Sequence, residues 1–92
     1  MTEYVRVDWH HADPAEPVVV YIELDADRYE VRKVEQYLSG QLDFADTSRY
    51  TGTTFLSESP VPSLVELATN TEFTPLPIAP SEFARIWLRA TR

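Results

Sequence analysis

The sequence predicts one α+β domain, in which an antiparallel β-meander is packed by two C-terminal helices. Apolar and polar residues alternate through much of the first half of the chain, which is the period of a half-buried strand. Turn-forming residues separate these runs at short intervals. Near the C-terminus, apolar residues recur instead at helical spacing. A chain of 92 residues has the length of one domain, so residues 1–92 are assigned to a single unit.

Four strands are predicted in the first half of the chain, at about residues 3–9, 18–24, 29–38 and 41–45. Each combines β-branched or aromatic residues with the two-residue alternation of a strand. Ser39 and Gly40 form the turn between the third and fourth strands, because glycine accepts the positive φ of a tight hairpin. The run at 53–56 offers a short fifth strand at the sheet edge. The two prolines within 74–79 indicate a loop.

Two helices are predicted in the second half, at about residues 63–69 and 80–90. Ser63 and Glu66 have the spacing of a capping box, in which the serine hydroxyl accepts a hydrogen bond from the backbone N–H of the glutamate. Asn70 suits the left-handed end of this helix. Pro80 suits the first turn of the second helix. The apolar stripe of the second helix consists of Phe83, Ile86, Trp87 and Ala90.

The formal net charge of −7 comes entirely from the half of the chain that is predicted to form the sheet. Residues 1–46 contain eleven acidic and four basic residues, whereas residues 47–92 contain four of each. An acidic surface repels phosphate backbones and attracts cationic groups. We therefore expect a protein with a basic surface as partner, and no nucleic acid. The alternative is that the charge serves solubility alone.

The second and third strands can be aligned as a hairpin around Ala26 and Asp27. A two-residue loop pairs Leu24 with Tyr29 and makes one face of the hairpin apolar, while the other face alternates in charge. The charged face is a candidate interaction surface, the alternative being a solvated surface that contributes little to stability. Its residues are Tyr21, Glu23, Asp25, Arg28, Glu30 and Arg32.

The same alternation points two charged residues of the third strand, Lys33 and Glu35, towards the core. A β-bulge near Arg32 and Lys33 would shift the alternation and turn Val34 inward. Without a bulge, Lys33 and Glu35 form a partly buried pair, which favours a small pocket at this place. The residues of this candidate pocket are Trp9, His10, Lys33 and Glu35. The sequence leaves both arrangements open.

Few residues of the chain are suited to metal binding or catalysis. There is no cysteine, and the two histidines, His10 and His11, are adjacent, so that in a strand they point to opposite faces. Two glycines are too few for most phosphate-binding loops, and no G-x-S-x-G nucleophile motif occurs. We expect no metal, no cofactor and no enzymatic activity.

The hydropathy of the chain indicates a cytoplasmic protein. Residues 1–9 lack the basic and apolar regions of a signal peptide. No stretch approaches the run of about 18 apolar residues that a membrane-spanning helix needs. The absence of cysteine is compatible with a reducing compartment. We expect no contact with a membrane.

Several motifs are distributed along nearly the whole chain. They begin with Trp9-His10-His11 and end with the E-F-x-x-x-W pattern at 82–87. They include Y-x-E-L-D at 21–25, and the most specific is the R-x-E-x-R-K-V-E stretch that follows at 28–35. In these motifs the chain resembles a family of small bacterial domains of unknown function that is frequent in actinomycetes. The resemblance implies no established activity, although small acidic proteins of this kind resemble immunity proteins or antitoxins.

The leading hypothesis is a non-enzymatic interaction domain that places its acidic sheet face against a basic protein, as an immunity-type inhibitor does. It rests on the one-sided charge and on the lack of a catalytic set of residues. The second hypothesis is a small-molecule-binding or hydrolytic domain centred on Trp9, His10, Lys33 and Glu35. A homo-oligomeric structural module is the third.

Overall fold

Five strands and two helices form the part of the chain that the computed structural model describes, residues 2–92. The elements are, in chain order, β1 (Glu3–Trp9), β2 (Val19–Leu24), β3 (Glu30–Gln36), β4 (Leu42–Ala45), α1 (Leu64–Leu67), β5 (Phe73–Pro77) and α2 (Pro80–Ala90). All strand pairs are antiparallel, in the order β4-β3-β2-β1-β5. The predicted α+β class and the meander of the first four strands are confirmed. No helix in this part of the chain is long and apolar enough to span a membrane.

The sheet is covered on both faces. On one face, which we call the α2 face, the core consists of Tyr21, Val34, Phe44, Phe83 and Ile86. The other face, the loop face, is covered by α1 and by the connection between β4 and α1 (46–63). Its core consists of Val5, Val7, Ile22, Leu24 and Val61. The hairpin therefore has no solvated face of the kind that the alternation suggested, because each face lies under a second layer.

The turn between β2 and β3 contains three residues rather than the two that were predicted. Arg28 N–H donates to Asp25 C=O, and Asp25 N–H donates to Tyr29 C=O. Arg28 adopts a left-handed φ of 67°, which a three-residue hairpin loop requires at its last position. The predicted pairing of Leu24 with Tyr29 is consequently wrong.

A β-bulge at Val31 follows this turn. Leu24 pairs with Glu30 and Glu23 with Arg32, which leaves Val31 without a partner on β2. A bulge was predicted one residue further along the chain. The extra turn residue and the bulge each shift the pairing of β3 with β2 by one residue relative to the predicted hairpin. Because a shift of two residues restores the alternation, the β3 residues beyond the bulge lie on the faces that the alternation of the sequence predicted.

The structure combines features of both arrangements that the sequence left open, although Lys33 and Glu35 do not form an ion pair with each other. Val34 is fully buried on the α2 face. Lys33 pairs with Ile22 and Glu35 with Val20, so both charged side chains lie on the loop face beside apolar residues. Because both faces of the sheet are covered, Val34 on one face and Lys33 and Glu35 on the other can all point towards a packed layer.

β5 occupies a segment that was predicted to be a loop because of its two prolines. It pairs antiparallel with β1, and just beyond it Ile78 N–H donates to Tyr4 C=O. The N–H groups that point towards β1 recur at every second residue, counted back from Ile78. The nitrogens of Pro75 and Pro77 therefore point away from β1. The remaining outward N–H of this strand, that of Phe73, is bonded within the preceding turn. The prolines thus cost no sheet hydrogen bond, and they deprive the edge of donors for a further strand.

The opposite edge of the sheet, β4, is closed by the chain that follows it. Tyr50 forms an isolated bridge with Ala45, and Thr51 N–H donates to Phe44 C=O. The fifth strand suggested at 53–56 is absent, and these residues are irregular backbone. The fifth strand of the sheet comes from the C-terminal half instead.

The two helices begin where the sequence predicts. The Ser63 hydroxyl accepts a hydrogen bond of 3.2 Å from Glu66 N–H and lies 3.3 Å from the Glu66 carboxylate, so the serine caps α1 as predicted. α1 ends at Leu67, before the predicted end, and the chain continues in turns to residue 70. α2 has the predicted bounds and begins with Pro80.

Phe83→Ala should lower the free energy of unfolding by about 3–5 kcal/mol, because it leaves a cavity where a fully buried ring packs between α2 and the sheet. Leu88→Ala is the matched control, since Leu88 lies on the same helix and is 56% exposed. Its expected effect is below about 1 kcal/mol. Urea denaturation followed by circular dichroism measures both, and equal losses would contradict the buried position of Phe83.

Candidate functional site

Three residues of the predicted interaction face, Tyr21, Glu23 and Arg32, lie beneath α2. The Arg32 guanidinium lies 5.0 Å from the ring centroids of both Phe83 and Trp87. It also forms an ion pair with the Glu23 carboxylate, whose side chain is 14% exposed. Cation–π contacts therefore attach α2 to the sheet through this arginine, and the ion pair with Glu23 holds the guanidinium in place.

Tyr4 completes the polar network beneath α2. Its hydroxyl donates to Glu23 Oε2 over 3.2 Å, and its ring centroid lies 5.4 Å from that of Phe83. Burial raises the pKa of Tyr4, and the Glu23 carboxylate raises it further. The hydroxyl therefore stays protonated and continues to donate at neutral pH.

Two further residues of the predicted face, Asp25 and Arg28, stabilise the β2–β3 turn. Asp25 Oδ1 accepts hydrogen bonds from two backbone N–H groups of its own turn, at 2.9 and 3.0 Å. Arg28 donates to the carbonyl oxygens of Val61 and Pro62, at 2.9 and 2.8 Å. It also forms an ion pair with Glu3. Arg28 thereby links the hairpin turn to the connection that covers the loop face.

The sixth residue, Glu30, lies on the loop face. Its side chain is 5% exposed, and its Oε1 forms an ion pair of 2.8 Å with Lys33 Nζ and accepts a hydrogen bond of 2.6 Å from Ser57 N–H. Residues three apart in a regular strand point to opposite faces, so the bulge at Val31 is what brings Glu30 and Lys33 together. The six residues thus have three different environments and do not form one surface.

Glu35 and Asp43 hold the same connection further along the sheet. They lie opposite each other on β3 and β4. Glu35 accepts a hydrogen bond from the Thr54 hydroxyl, and Asp43 accepts one of 2.9 Å from the Thr51 hydroxyl. Gly52 has a φ of 58°, and a Cβ there would lie 2.7 Å from Asp43 Oδ2. The close approach of the connection to β4 therefore requires glycine at this position.

An apolar cleft of about 320 Å³ opens on the loop face, between the sheet and the connection. This volume lies at the lower end of the range of about 300–1,000 Å³ that small-ligand sites occupy. Glu30 and Ser57 contribute polar side chains to an otherwise apolar lining. The lining residues are Val7, Trp9, Val20, Ile22, Glu30, Ser57, Pro60, Val61, Pro62, Leu67 and Phe73.

Trp9 is the residue of the predicted pocket that lines this cleft. Its Nε1 donates to Glu72 Oε1 over 3.2 Å. Its ring centroid lies 6.2 Å from that of Phe73, directly opposite on β5, and 4.3 Å from that of His11. These contacts fix the indole as one wall of the cleft.

The other three residues of the predicted pocket do not line the cleft. His10 Nε2 lies 2.7 Å from Thr74 Oγ1, beside the β5 edge. Lys33 forms its ion pair with Glu30 and not with Glu35, the partner that the sequence suggested. Lys33 supports the cleft indirectly, through the carboxylate of Glu30.

Sequence reasoning missed most of the cleft lining. Residues 60–62 and Phe73 were assigned to no strand or helix, and Leu67 was assigned to the first helix. Their shared position depends on the connection returning over β1 and β2. Such a long-range contact leaves no local periodicity in the sequence.

His11 is held in one tautomer. Its Nδ1 accepts a hydrogen bond of 3.0 Å from Asp13 N–H, so Nε2 carries the proton and donates to Pro17 C=O at 2.8 Å. Both ring nitrogens are thus occupied. Within residues 2–92, no group of three His, Cys, Asp or Glu side chains is placed to hold a metal ion.

Three exposed glutamates, Glu58, Glu66 and Glu72, each adjoin a cleft-lining residue in the sequence. We call them the acidic rim. None of them forms an ion pair with a cation of the described chain. The bases that contact lining residues, Arg28 and Lys33, are both paired with carboxylates. The bases near the cleft in the described chain therefore do not neutralise the three carboxylates of the acidic rim.

A second depression, of about 340 Å³, lies beside β4 and is lined by a polar turn at 46–49. Asp46 Oδ1 accepts hydrogen bonds from the N–H groups of Ser48 and Arg49, at 3.0 and 2.7 Å. The pKa of Asp46 is lowered to about 2, most by the hydrogen bond from Ser48 N–H and to a smaller extent by the contacts with Arg49. The polar groups of this turn bond to one another, so the apolar cleft is the better candidate site.

Comparison with known proteins finds one family model that matches residues 3–92, described as a domain of unknown function (DUF6881). No curated protein and no solved structure matches the chain. The match covers nearly the whole chain, as the resemblance of the sequence motifs did. It assigns no activity, so the function has to be argued from the geometry.

Lys33→Met should lower the free energy of unfolding by about 3 kcal/mol, because it leaves the buried Glu30 carboxylate without its cation. Glu30→Gln combined with Lys33→Met removes both charges and should recover part of this loss. Urea denaturation at neutral pH measures both single variants, Lys33→Met and Glu30→Gln, and the double variant. A double variant that is as unstable as the sum of its single variants would contradict the pairing.

Asp46→Asn should destabilise the protein at neutral pH but not in strong acid. The pKa of Asp46 in the folded state is about 2, below its ordinary value of 3.8. The ionised carboxylate therefore stabilises the fold above roughly pH 4, and this contribution is lost as the pH falls through 2. Denaturation of both proteins across this range should give curves that converge at the acidic end. Glu58→Gln is the control, and parallel curves for Asp46→Asn would contradict the prediction.

Proposed function

The chain belongs to this family of domains of unknown function, and we propose that it is a non-enzymatic protein-interaction module that binds a basic partner at the cleft. One observation carries the proposal: an apolar cleft lies beside the acidic rim, whose carboxylates have no cationic partner in the described chain. A partner that inserts an apolar stem and surrounds it with basic groups complements the cleft in shape and charge.

The proposal moves the contact site from the hairpin face to the loop face. The charged groups of the hairpin face already bond to α2, to their own turn or to the connection. A partner would have to break these bonds, which costs the desolvation of buried charges. Glu58, Glu66 and Glu72 have no ion pair to lose.

The charge of the whole chain supports a basic partner as well. A net charge of −7 attracts a cationic protein from a distance and raises the association rate at low ionic strength. We therefore expect the interaction to weaken as salt is added. Inhibition of a basic toxin, the immunity-type role that the sequence suggested by analogy, is one function that such a module serves.

The second candidate is a small-molecule-binding domain that uses the same cleft. Its volume and apolar lining favour this role, and Trp9 belongs to both hypotheses. The hydrolytic form of the hypothesis has less support, because Lys33 and Glu35 are bonded to Glu30 and Thr54. A nuclear magnetic resonance screen with a metabolite and metal panel tests it, and chemical shift changes at the Trp9 indole N–H would favour it.

Reversal of charge at the acidic rim tests the leading proposal. Proteins captured from native lysate by the wild-type chain should be retained about tenfold less by the variant Glu58→Lys/Glu66→Lys, because two attractive contacts become repulsive. The control is Glu16→Lys/Asp27→Lys, which changes the net charge equally at exposed positions that adjoin no lining residue. The captured proteins should have basic surfaces.

Two measurements accompany this test. Urea denaturation establishes that the variants remain folded, and sedimentation shows whether a second copy of the chain occupies the cleft. Equal loss of partners in the rim and control variants would reduce the effect to net charge and contradict a site at the cleft. Unchanged capture by the rim variant would also contradict it.

A further inference from the structure

We propose that the cleft receives an arginine side chain of the partner protein, held against Trp9 and Phe73 with its cation towards the carboxylate of Glu30. This inference deepens the proposed function and rests on it for the location of the site. It names the group that anchors the partner.

The aromatic walls of the cleft form a rigid corner. Trp9 and Phe73 are direct cross-strand neighbours on β1 and β5, and their ring planes are inclined at 66°. The Glu72 carboxylate accepts a hydrogen bond from the indole N–H of Trp9, and His11 packs edge-on against the same indole ring. A flat cation that lies on one ring has its edge near the other. The corner exists without a ligand, so binding requires little ordering of the protein.

The same chain already holds an arginine with the same three residue types. On the α2 face, Arg32 lies 5.0 Å from the centroids of Phe83 and Trp87 and forms an ion pair with Glu23. Those two aromatic rings are 6.1 Å apart, and the rings of the cleft pair are 6.2 Å apart. The α2 pair is stacked at 17°, so the two sites differ in ring angle.

The loop face has the aromatic pair and the carboxylate, but its arginine does not come from this chain. No cation of residues 2–92 lies over Trp9 or Phe73. Glu30 lines the cleft, and its Oε1 carries the bonds from Lys33 and Ser57. Its Oε2 accepts no hydrogen bond from the described residues. This oxygen is therefore available to a guanidinium N–H.

The lining of the cleft favours arginine over lysine. A lysine ammonium is strongly hydrated and directs three donors tetrahedrally, for which the apolar walls offer few acceptors. A guanidinium is weakly hydrated, and its faces stack on aromatic rings while its edge donates to carboxylates. The apolar stem of arginine suits the wall formed by Val61 and Leu67. Donors on the outer edge of the guanidinium reach the acidic rim or water.

Three matched peptides test the inference. Each has lysine at both ends and glycine on either side of the central residue, which is arginine, lysine or citrulline, the neutral isostere of arginine. The probe is the Trp9 indole N–H resonance of the full chain in a titration by nuclear magnetic resonance. The arginine peptide should bind about tenfold more tightly than either of the other two.

Phe73→Leu should abolish this preference, because it keeps the apolar volume and removes one aromatic wall. Tyr50→Leu is the control, since Tyr50 is an aromatic residue that is 71% exposed and lies outside the cleft lining. The amide spectrum of each variant shows that it is folded. Loss of the preference in Phe73→Leu alone supports the anchor.

The remaining outcomes separate the inference from the proposed function. If the lysine peptide binds as tightly as the arginine peptide, the cleft recognises positive charge but not arginine. If the citrulline peptide binds as tightly as the arginine peptide, the cleft recognises the apolar stem alone. Either overturns the inference. If no peptide binds while charge reversal at the acidic rim still reduces capture about tenfold, the arginine anchor is wrong and the proposed interaction module remains supported. If the arginine peptide binds with the expected preference but the rim variant captures lysate proteins as well as the wild type does, the arginine anchor is supported. The proposed partner site at the acidic rim is then contradicted.

Discussion

The sheet has apolar residues on both faces, and covering both with a short chain is the constraint on which the rest of the structure depends. α2, with eleven residues, covers one face, whereas α1 has four and covers little of the other. Most of the loop face lies under irregular backbone, which does not pack against a sheet by periodicity as a helix does. Side chains of the strands hold it instead: the carboxylates of Glu30, Glu35 and Asp43 bind Ser57, Thr54 and Thr51.

This constraint changes the meaning of the acidic composition. Each of the four bases in residues 1–46 forms an ion pair with an acid of the same half of the chain. Charges that the alternation assigned to an open surface therefore stabilise contacts between layers. The character of the outer surface depends more on acids outside the strands, among them the acidic rim. The overall charge attracts a basic partner. Because the covering layers engage the carboxylates of the strands, the carboxylates without an ion pair in the described chain that such a partner can contact include those of the acidic rim.

The cleft is a second consequence of covering a sheet with a loop. A helix of the length of α2 fills the α2 face, where Phe83 and Arg32 occupy the space above β2 and β3. The connection on the loop face passes over β1 and β2 without filling the space above Trp9 and Phe73. A phenylalanine and a tryptophan thus bind Arg32 beneath α2, and another phenylalanine and tryptophan form the wall of the open cleft.

The sequence by itself determined the elements whose signal is local. It predicted the alternating strands β1 and β2, the capping serine of α1, the bounds of α2 and the glycine of the β3–β4 turn, whose φ is 93°. Tertiary structure decided the rest. β5 was missed because prolines that face outward from a sheet edge look, in sequence, like prolines of a loop. The hairpin register depended on the left-handed Arg28 and the bulge at Val31, which local alternation does not encode. Above all, alternation assigns side chains to two faces but cannot say what covers each face. That depends on a segment that returns from far along the chain, and it made Glu30 and Lys33 part of the interior rather than the surface.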